Sequence, residues 1–93
     1  MDIQHDETAR TFRLHNGEQL ASLRYELDRG TMTITHTNVP DALGGRGIGG
    51  ELVRTALDTA RRNGWKVIPA CSFADAWMRR HPETADLRDR GTA

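Results

Sequence analysis

Leu43-Gly44-Gly45-Arg46-Gly47-Ile48-Gly49-Gly50-Glu51-Leu52-Val53 divides the chain into two regimes of side-chain periodicity. Upstream, apolar residues recur at every second position. Ala21, Leu23, Tyr25 and Leu27 alternate with Ser22, Arg24 and Glu26, and Met32, Ile34 and His36 alternate with four threonines, Thr31, Thr33, Thr35 and Thr37. A period of two belongs to a strand with one buried face, and β-branched residues suit it. Downstream, Ile48, Leu52, Val53, Ala56, Leu57 and Ala60 fall on one helical stripe, with Glu51, Arg54, Thr55, Asp58, Arg61 and Arg62 on the other side.

Outward from that stretch, the remaining elements follow. Residues 9–14 hold β-formers in alternation, and Asn16-Gly17 signals a hairpin because both central residues of a type I′ turn need positive φ. Asp28-Arg29-Gly30 is a second turn, and Pro40 ends a third strand over 31–39. Residues 1–8 are polar and read as frayed. After the glycines, a helix over 48–63 stops at Asn63-Gly64, with Arg61 and Arg62 at the negative end of its dipole. Trp65 to Ala70 is a short buried strand. Ser72-Phe73-Ala74-Asp75 has the capping-box pattern, which predicts a helix from Phe73 to Arg80 ended by His81-Pro82. Residues 83–90 read as a last helical turn, and 89–93 as flexible. The predicted fold is α/β: a three-stranded antiparallel meander, then a βαβ unit and a C-terminal helix, in one domain spanning 1–93. Strands joined by a helical crossover run parallel. Their C-terminal ends and the crossover helix's N-terminus share one edge, where α/β sheets bind ligands. That edge collects His36 to Val39, the loop 43–50, Cys71 and the start of the last helix.

Size and charge narrow the function. Ninety-three residues and 10.4 kDa exclude a two-domain dehydrogenase, a TIM barrel or a kinase. Thirteen Lys/Arg balance thirteen Asp/Glu, which argues against a dedicated nucleic-acid binder. One cysteine excludes an intrachain disulfide framework and a multi-cysteine zinc site, and no His/Asp/Glu cluster has metal spacing. No apolar run reaches the ~18 residues of a membrane span, and the acidic N-terminus lacks a signal core, so a soluble cytoplasmic protein is expected. The charge is unevenly divided: residues 1–45 hold four Arg against seven Asp/Glu, and residues 46–93 hold nine Lys/Arg against six. An anionic ligand prefers the second half, although a chance split of surface charge accounts for the same numbers.

A glycine-dense loop before a helix lets backbone N–H groups converge on a phosphate. A Walker loop ends in Gly-Lys-Ser/Thr, whereas this one continues Gly49-Gly50-Glu51. Gly45, Gly47 and Gly50 match the dinucleotide fingerprint, but no carboxylate stands at Pro69-Ala70-Cys71-Ser72, where a ribose partner is expected. The loop resembles instead the acetyl-CoA loop of the GNAT acetyltransferases, Gln/Arg-x-x-Gly-x-Gly/Ala. Gly47 and Gly49 match its glycines, and Gly44 replaces its Gln or Arg, which removes a side-chain contact and leaves the backbone cradle. Ile34 to Pro40, Ala56 to Arg61, Val67 to Phe73 and Arg79 to Glu83 resemble a short single-domain GNAT-like subgroup that lacks the usual C-terminal strands. The similarity spans roughly residues 10–88.

This resemblance implies a minimal GNAT-like acyl-CoA N-acyltransferase fold with acetyl-CoA (coenzyme A) as ligand. The pantetheine arm would enter between the two parallel strands and pair with backbone at Thr37, Asn38 and Val39. The loop Gly44, Gly45, Arg46, Gly47, Ile48, Gly49 and Gly50 would take the pyrophosphate, with Arg46 adding a charge-assisted contact. Ser72 and Arg80 complete the expected binding set, with Arg79 and Arg80 within reach of the 3′-phosphate or, alternatively, lying on a solvated helix face. Cys71 is the first candidate for chemistry, because helix N-termini favour thiolates. It can take the acetyl group covalently or protonate the departing CoA thiolate; the alternative is a small buried residue. His36 is the candidate general base, or else a core histidine beside Met32 and Ile34. Phe73, Trp77, Met78 and Trp65 read as core, and His5 and His15 carry no signal. The expected partners are acetyl-CoA and an amine (a protein lysine, an N-terminus or a small amine), acting on a monomer or homodimer. The alternatives are a non-catalytic acyl-CoA-binding module and a structural protein that has lost the ligand.

Overall fold

A computed structural model describes residues 2–89. Its strands are β1 (Ile3–Asp6), β2 (Thr11–Asn16), β3 (Gln19–Asp28), β4 (Thr31–Asn38) and β5 (Lys66–Pro69); its helices are α1 (Ile48–Asn63) and α2 (Ser72–Arg79). The five strands form one sheet in sequence order, with β1 to β4 antiparallel and β5 parallel to β4. The α/β reading thus stands, with one strand added to the meander. Residues 3–6, read as frayed, pair with β2 because Ile3 lies opposite Leu14 and His5 opposite Phe12. The His5 ring stacks on Phe12 at 4.1 Å, and its Nε2 lies 2.6 Å from the Tyr25 hydroxyl. Of the flexible end expected at 89–93, residues 90–93 lie outside the described residues.

The pair of positive φ values expected at Asn16-Gly17 occurs instead in the second hairpin. Between β2 and β3 the loop is Gly17-Glu18, and only Gly17 has positive φ. Between β3 and β4 the loop is Arg29-Gly30, with φ of 52° and 78°, the pair of positive values that a type I′ turn requires.

α1 lies across β2 to β5, and α2 packs on β4, β5 and α1. Ile48, Leu52, Val53, Ala56, Leu57 and Ala60 are buried against Phe12, Leu23, Tyr25, Met32, Ile34 and Val67. The Leu, Ile, Val, Met and Phe side chains among them contribute about 1.5–3 kcal/mol each on burial. Gly64, in the left-handed region, closes α1 by donating its N–H to Ala60 and Arg61 carbonyls. The opposite face of the sheet carries Arg24, Glu26, His36 and Asn38, all exposed. The last helical turn, expected over residues 83–90, is a 3-10 turn over Pro82–Leu87. It is held by a 2.8 Å ion pair from Arg61 to Asp86 and by Leu87, which enters the core. Arg88 then bridges β5 at Val67, covering that edge of the sheet.

One irregularity decides which side chains of β4 face the helices beyond the end of β5. Arg24 pairs with His36 but Tyr25 pairs with Ile34, so Thr35 is an extra residue in β4. Before this bulge, Met32 and Ile34 face the helices. Beyond it the phase is inverted: Thr37 lies opposite the buried Leu23 and faces the helices, while His36 lies opposite the exposed Arg24. The expected face shared by His36, Met32 and Ile34 is therefore broken at Thr35.

Candidate active site

β4 and β5 pair from Thr31/Lys66 to Ile34/Pro69 and then part. Pro69 has no N–H to donate, and the last backbone bond between the two segments runs from Cys71 N–H to the Ile34 carbonyl at 3.0 Å. Beyond the bulge at Thr35, residues His36 to Asn38 extend past β5, still paired on their other side with β3. This opening lies at the C-terminal ends of both parallel strands.

Cys71 stands at its corner. It is the N-cap of α2, and its Sγ accepts the Ala74 backbone N–H at 3.3 Å. This corrects the expected Ser72 cap: Ser72 is the first helical residue and is exposed. Thr37 Oγ1 lies 3.4 Å from the same sulfur, within hydrogen-bonding range. The sulfur is partly buried and leans on the core cluster. His36 is exposed on the other face and contacts its own neighbour, Thr35 Oγ1, at 3.1 Å. The bulge thus gives Cys71 a hydroxyl partner from β4 in place of an imidazole.

A groove of about 310 Å³ runs from Val39 past Asp41 and Leu43 to Gly44, Gly45, Gly47, Ile48, Gly49 and Gly50, with Phe73 on its flank. The glycines divide the work. Gly45 (φ 77°) and Gly47 (φ 72°) occupy the left-handed region, and nothing lies within 4 Å of where their Cβ atoms would be. Gly47 is the N-cap of α1, and a 16-residue helix presents its unpaired N–H groups there. Gly49 and Gly50 are helical and touch α2: a Cβ on Gly49 would lie 2.7 Å from Phe73 Cζ, and one on Gly50 2.9 Å from Trp77 Nε1. The bare cradle at Gly45–Gly47 and the dipole of α1 fit a pyrophosphate. Asp41, Leu43 and Phe73 line the groove although the sequence did not single them out for binding. The helical spacing of Phe73 predicts a core residue, yet it is 40% exposed, against 5% for Trp77 one turn later.

The remaining expected ligands are dispersed. Asn38 is exposed at the end of β4. Arg46 lines a neighbouring cavity of about 290 Å³ with His15, Asn16 and Ile48. Arg80 is the C-cap of α2, about 13.5 Å along the helix from Cys71; the structure does not bring it to the groove. Among the described residues, no cluster of His, Cys, Asp or Glu is arranged to hold a metal ion, and no helix is long and apolar enough to cross a membrane.

The profile of the GCN5-related N-acetyltransferase family matches residues 10–87 of this chain. The chain belongs to that family. It is 32% identical to Protein NATD1 of Xenopus tropicalis over 83 residues, 86% of this chain and 76% of that protein. Human Protein NATD1 is also 32% identical over 83 residues, covering 86% and 74%. The solution structure of a GCN5-like protein from Staphylococcus aureus superposes with a TM-score of 0.77 at 32% identity, over 95% of this chain and 87% of the other. Acetyl transfer is the chemistry for which that family is named.

Proposed function

We propose that this chain, acting as one domain, transfers the acetyl group of acetyl-CoA to an amine by way of Cys71. The observation that carries the reading is the placement of the Cys71 sulfur at the parting of two parallel strands, 3.4 Å from Thr37 Oγ1. The groove from the αL glycines opens onto the same edge. The pyrophosphate of the donor rests on the N–H groups after Gly45 and Gly47. Its pantetheine amides pair with the backbone of Asn38 and Val39 in the gap that β5 leaves open.

Chemistry follows from the sulfur's surroundings. The Cys71 sulfur attacks the thioester carbonyl, the carbonyl–sulfur bond to CoA breaks, and the thiol proton of Cys71 passes to the departing CoA sulfur. An unprotonated amine then attacks the acetyl-cysteine, and the sulfur regains a proton from the amine nitrogen. Thr37 and the Ala74 N–H hold the sulfur in place through both steps. His36 and Asn38, exposed on the uncovered sheet face beside the opening, contact the acceptor amine.

The test is intact-mass spectrometry after brief exposure to acetyl-CoA, with Cys71→Ser as control. One added acetyl group that is absent from the variant, and lost when an amine is supplied, supports the covalent route. Undiminished transfer by the variant would overturn it.

A second reading is favoured by a specific feature. Among the described residues, the hydrogen-bond partners of Cys71 Sγ are Thr37 and Ala74, and neither is a carboxylate or an imidazole. A site with no adjacent base suits a protein that binds acyl-CoA without turnover. Saturable acetyl-CoA binding with no release of free CoA, in the presence of lysine peptides and small amines, distinguishes that case.

A further inference from the structure

The ring of Phe73 is poorly explained by packing. Phe73 and Trp77 stand one helical turn apart on α2 and both meet α1, at Gly49 and Gly50 respectively. Trp77 is 5% exposed, as a helix–helix contact should be, whereas Phe73 keeps 40% of its surface open. Its outer side forms the flank of the groove, beside Val39, Leu43 and Ile48. Phe73 is also two residues beyond Cys71, so a chain passing from the αL glycines to the sulfur passes this ring.

We propose that Phe73 is a binding residue that selects the pantetheine arm of the acyl donor, seated for that purpose on the bare Cα of Gly49. The inference rests on the acetyl-CoA reading above and adds the residue that recognises the arm. Pantetheine alternates amides with apolar carbon, including a gem-dimethyl group. Backbone at the end of β4 answers the amides, and an apolar wall is needed for the carbon. Val39, Leu43, Ile48 and Phe73 supply it, and of these Phe73 has the most surface left to cover. The nucleotide half of the ligand, held at Gly45 and Gly47, makes no demand on this ring. Gly49 is required here because any side chain would displace the ring.

The experiment measures affinity for acetyl-CoA and, separately, for ADP as a probe of the nucleotide half, in the wild type, Phe73→Ala, Phe73→Leu and Gly49→Ala. Completing the burial of a half-exposed phenyl ring corresponds to about tenfold in affinity. Phe73→Ala is therefore expected to weaken acetyl-CoA about tenfold and ADP less than about twofold, with Phe73→Leu retaining most of the affinity. Gly49→Ala should weaken acetyl-CoA without lowering the melting temperature, and adding Phe73→Ala to it should cost little more, because the ring is already displaced. Equal losses for acetyl-CoA and ADP, or an unchanged acetyl-CoA affinity in Phe73→Ala, would overturn the proposal. A wild-type protein that binds ADP but not acetyl-CoA would also overturn it. A wild-type protein that binds neither would instead remove the acetyl-CoA reading on which it stands.

Discussion

Replacing Gly50 with alanine tests the packing of the two helices, and the neighbouring glycine supplies its control. A Cβ on residue 50 would lie 2.9 Å from Trp77 Nε1, against an ordinary separation of about 3.5–4 Å. Trp77 has no room to yield. It is 5% exposed, His81 stacks on it at 3.7 Å, and the Arg54 guanidinium lies 5.0 Å from its centroid. Overpacking of this kind costs about 1–3 kcal/mol. Alanine recovers at most about 1 kcal/mol of helix propensity, less in a first turn. The net expectation is a loss of about 1–2 kcal/mol, or roughly 4–15 °C in Tm for a domain of this size. At Gly49 the overlap is closer, 2.7 Å, but the obstacle is the tip of a 40% exposed ring that can swing into solvent. Gly49→Ala is therefore expected to melt at or slightly above the wild-type temperature. Thermal unfolding followed by far-ultraviolet circular dichroism reads both. A Gly50→Ala protein as stable as the wild type, or a Gly49→Ala protein less stable than Gly50→Ala, would refute the assignment of the two contacts.

Three further outcomes are expected. Cys71→Ser should keep its stability, since serine is a strong N-cap and can accept the Ala74 N–H, whereas Cys71→Ala should lose about 0.5–2 kcal/mol in urea unfolding; equal stability of the two would show that the sulfur does not cap α2. Gly47→Glu places both a positive-φ strain and a negative charge at the N-cap of α1, and calorimetry should find acetyl-CoA binding abolished; retained affinity would move the cradle elsewhere. Burial pushes His5 below its usual value of 6.5, against the opposing influence of Glu7 and Asp6 and with a smaller contribution from Arg62. The folded state therefore favours neutral His5. Its contribution to stability is complete above about pH 6.5 and is lost as pH falls through the lowered folded value. An NMR titration of the His5 ring should show a midpoint below 6.5, and one at or above it would contradict the burial under Phe12 and Tyr25.

Much of the molecule was legible because the deciding signals are local. The apolar stripe from Ile48 to Ala60, the stop at Asn63-Gly64 and the alternation in β3 and β4 each depend on neighbours a few residues away. β1 was not legible, because Ile3 and His5 are stabilised by Leu14, Phe12 and Tyr25, and four polar-rich residues carry no period of their own. The cap of α2 was misplaced by one residue because serine is the commoner cap, and only the fold shows the cysteine sulfur facing the Ala74 N–H. The roles of the glycines separated on the same ground: Gly45 and Gly47 are set by backbone dihedrals, Gly49 and Gly50 by aromatic rings more than twenty residues away. At the edge where the sequence places the candidate site, the alternation puts His36 beside Cys71, whereas the bulge at Thr35 puts Thr37 there.

The extra residue in β4 also bears on how such strands diverge between relatives. Deleting Thr35 would leave every side chain beyond it facing as it does now, with Thr37 toward the sulfur. Smoothing the strand without deletion would turn it over, carrying His36 to Cys71 and Thr37 out to solvent. The same letters thus encode a thiol–hydroxyl pair or a thiol–imidazole pair according to one backbone irregularity. A relative with a smooth strand, matched to this one letter for letter without a gap, has its histidine set against a position whose chemistry it does not share.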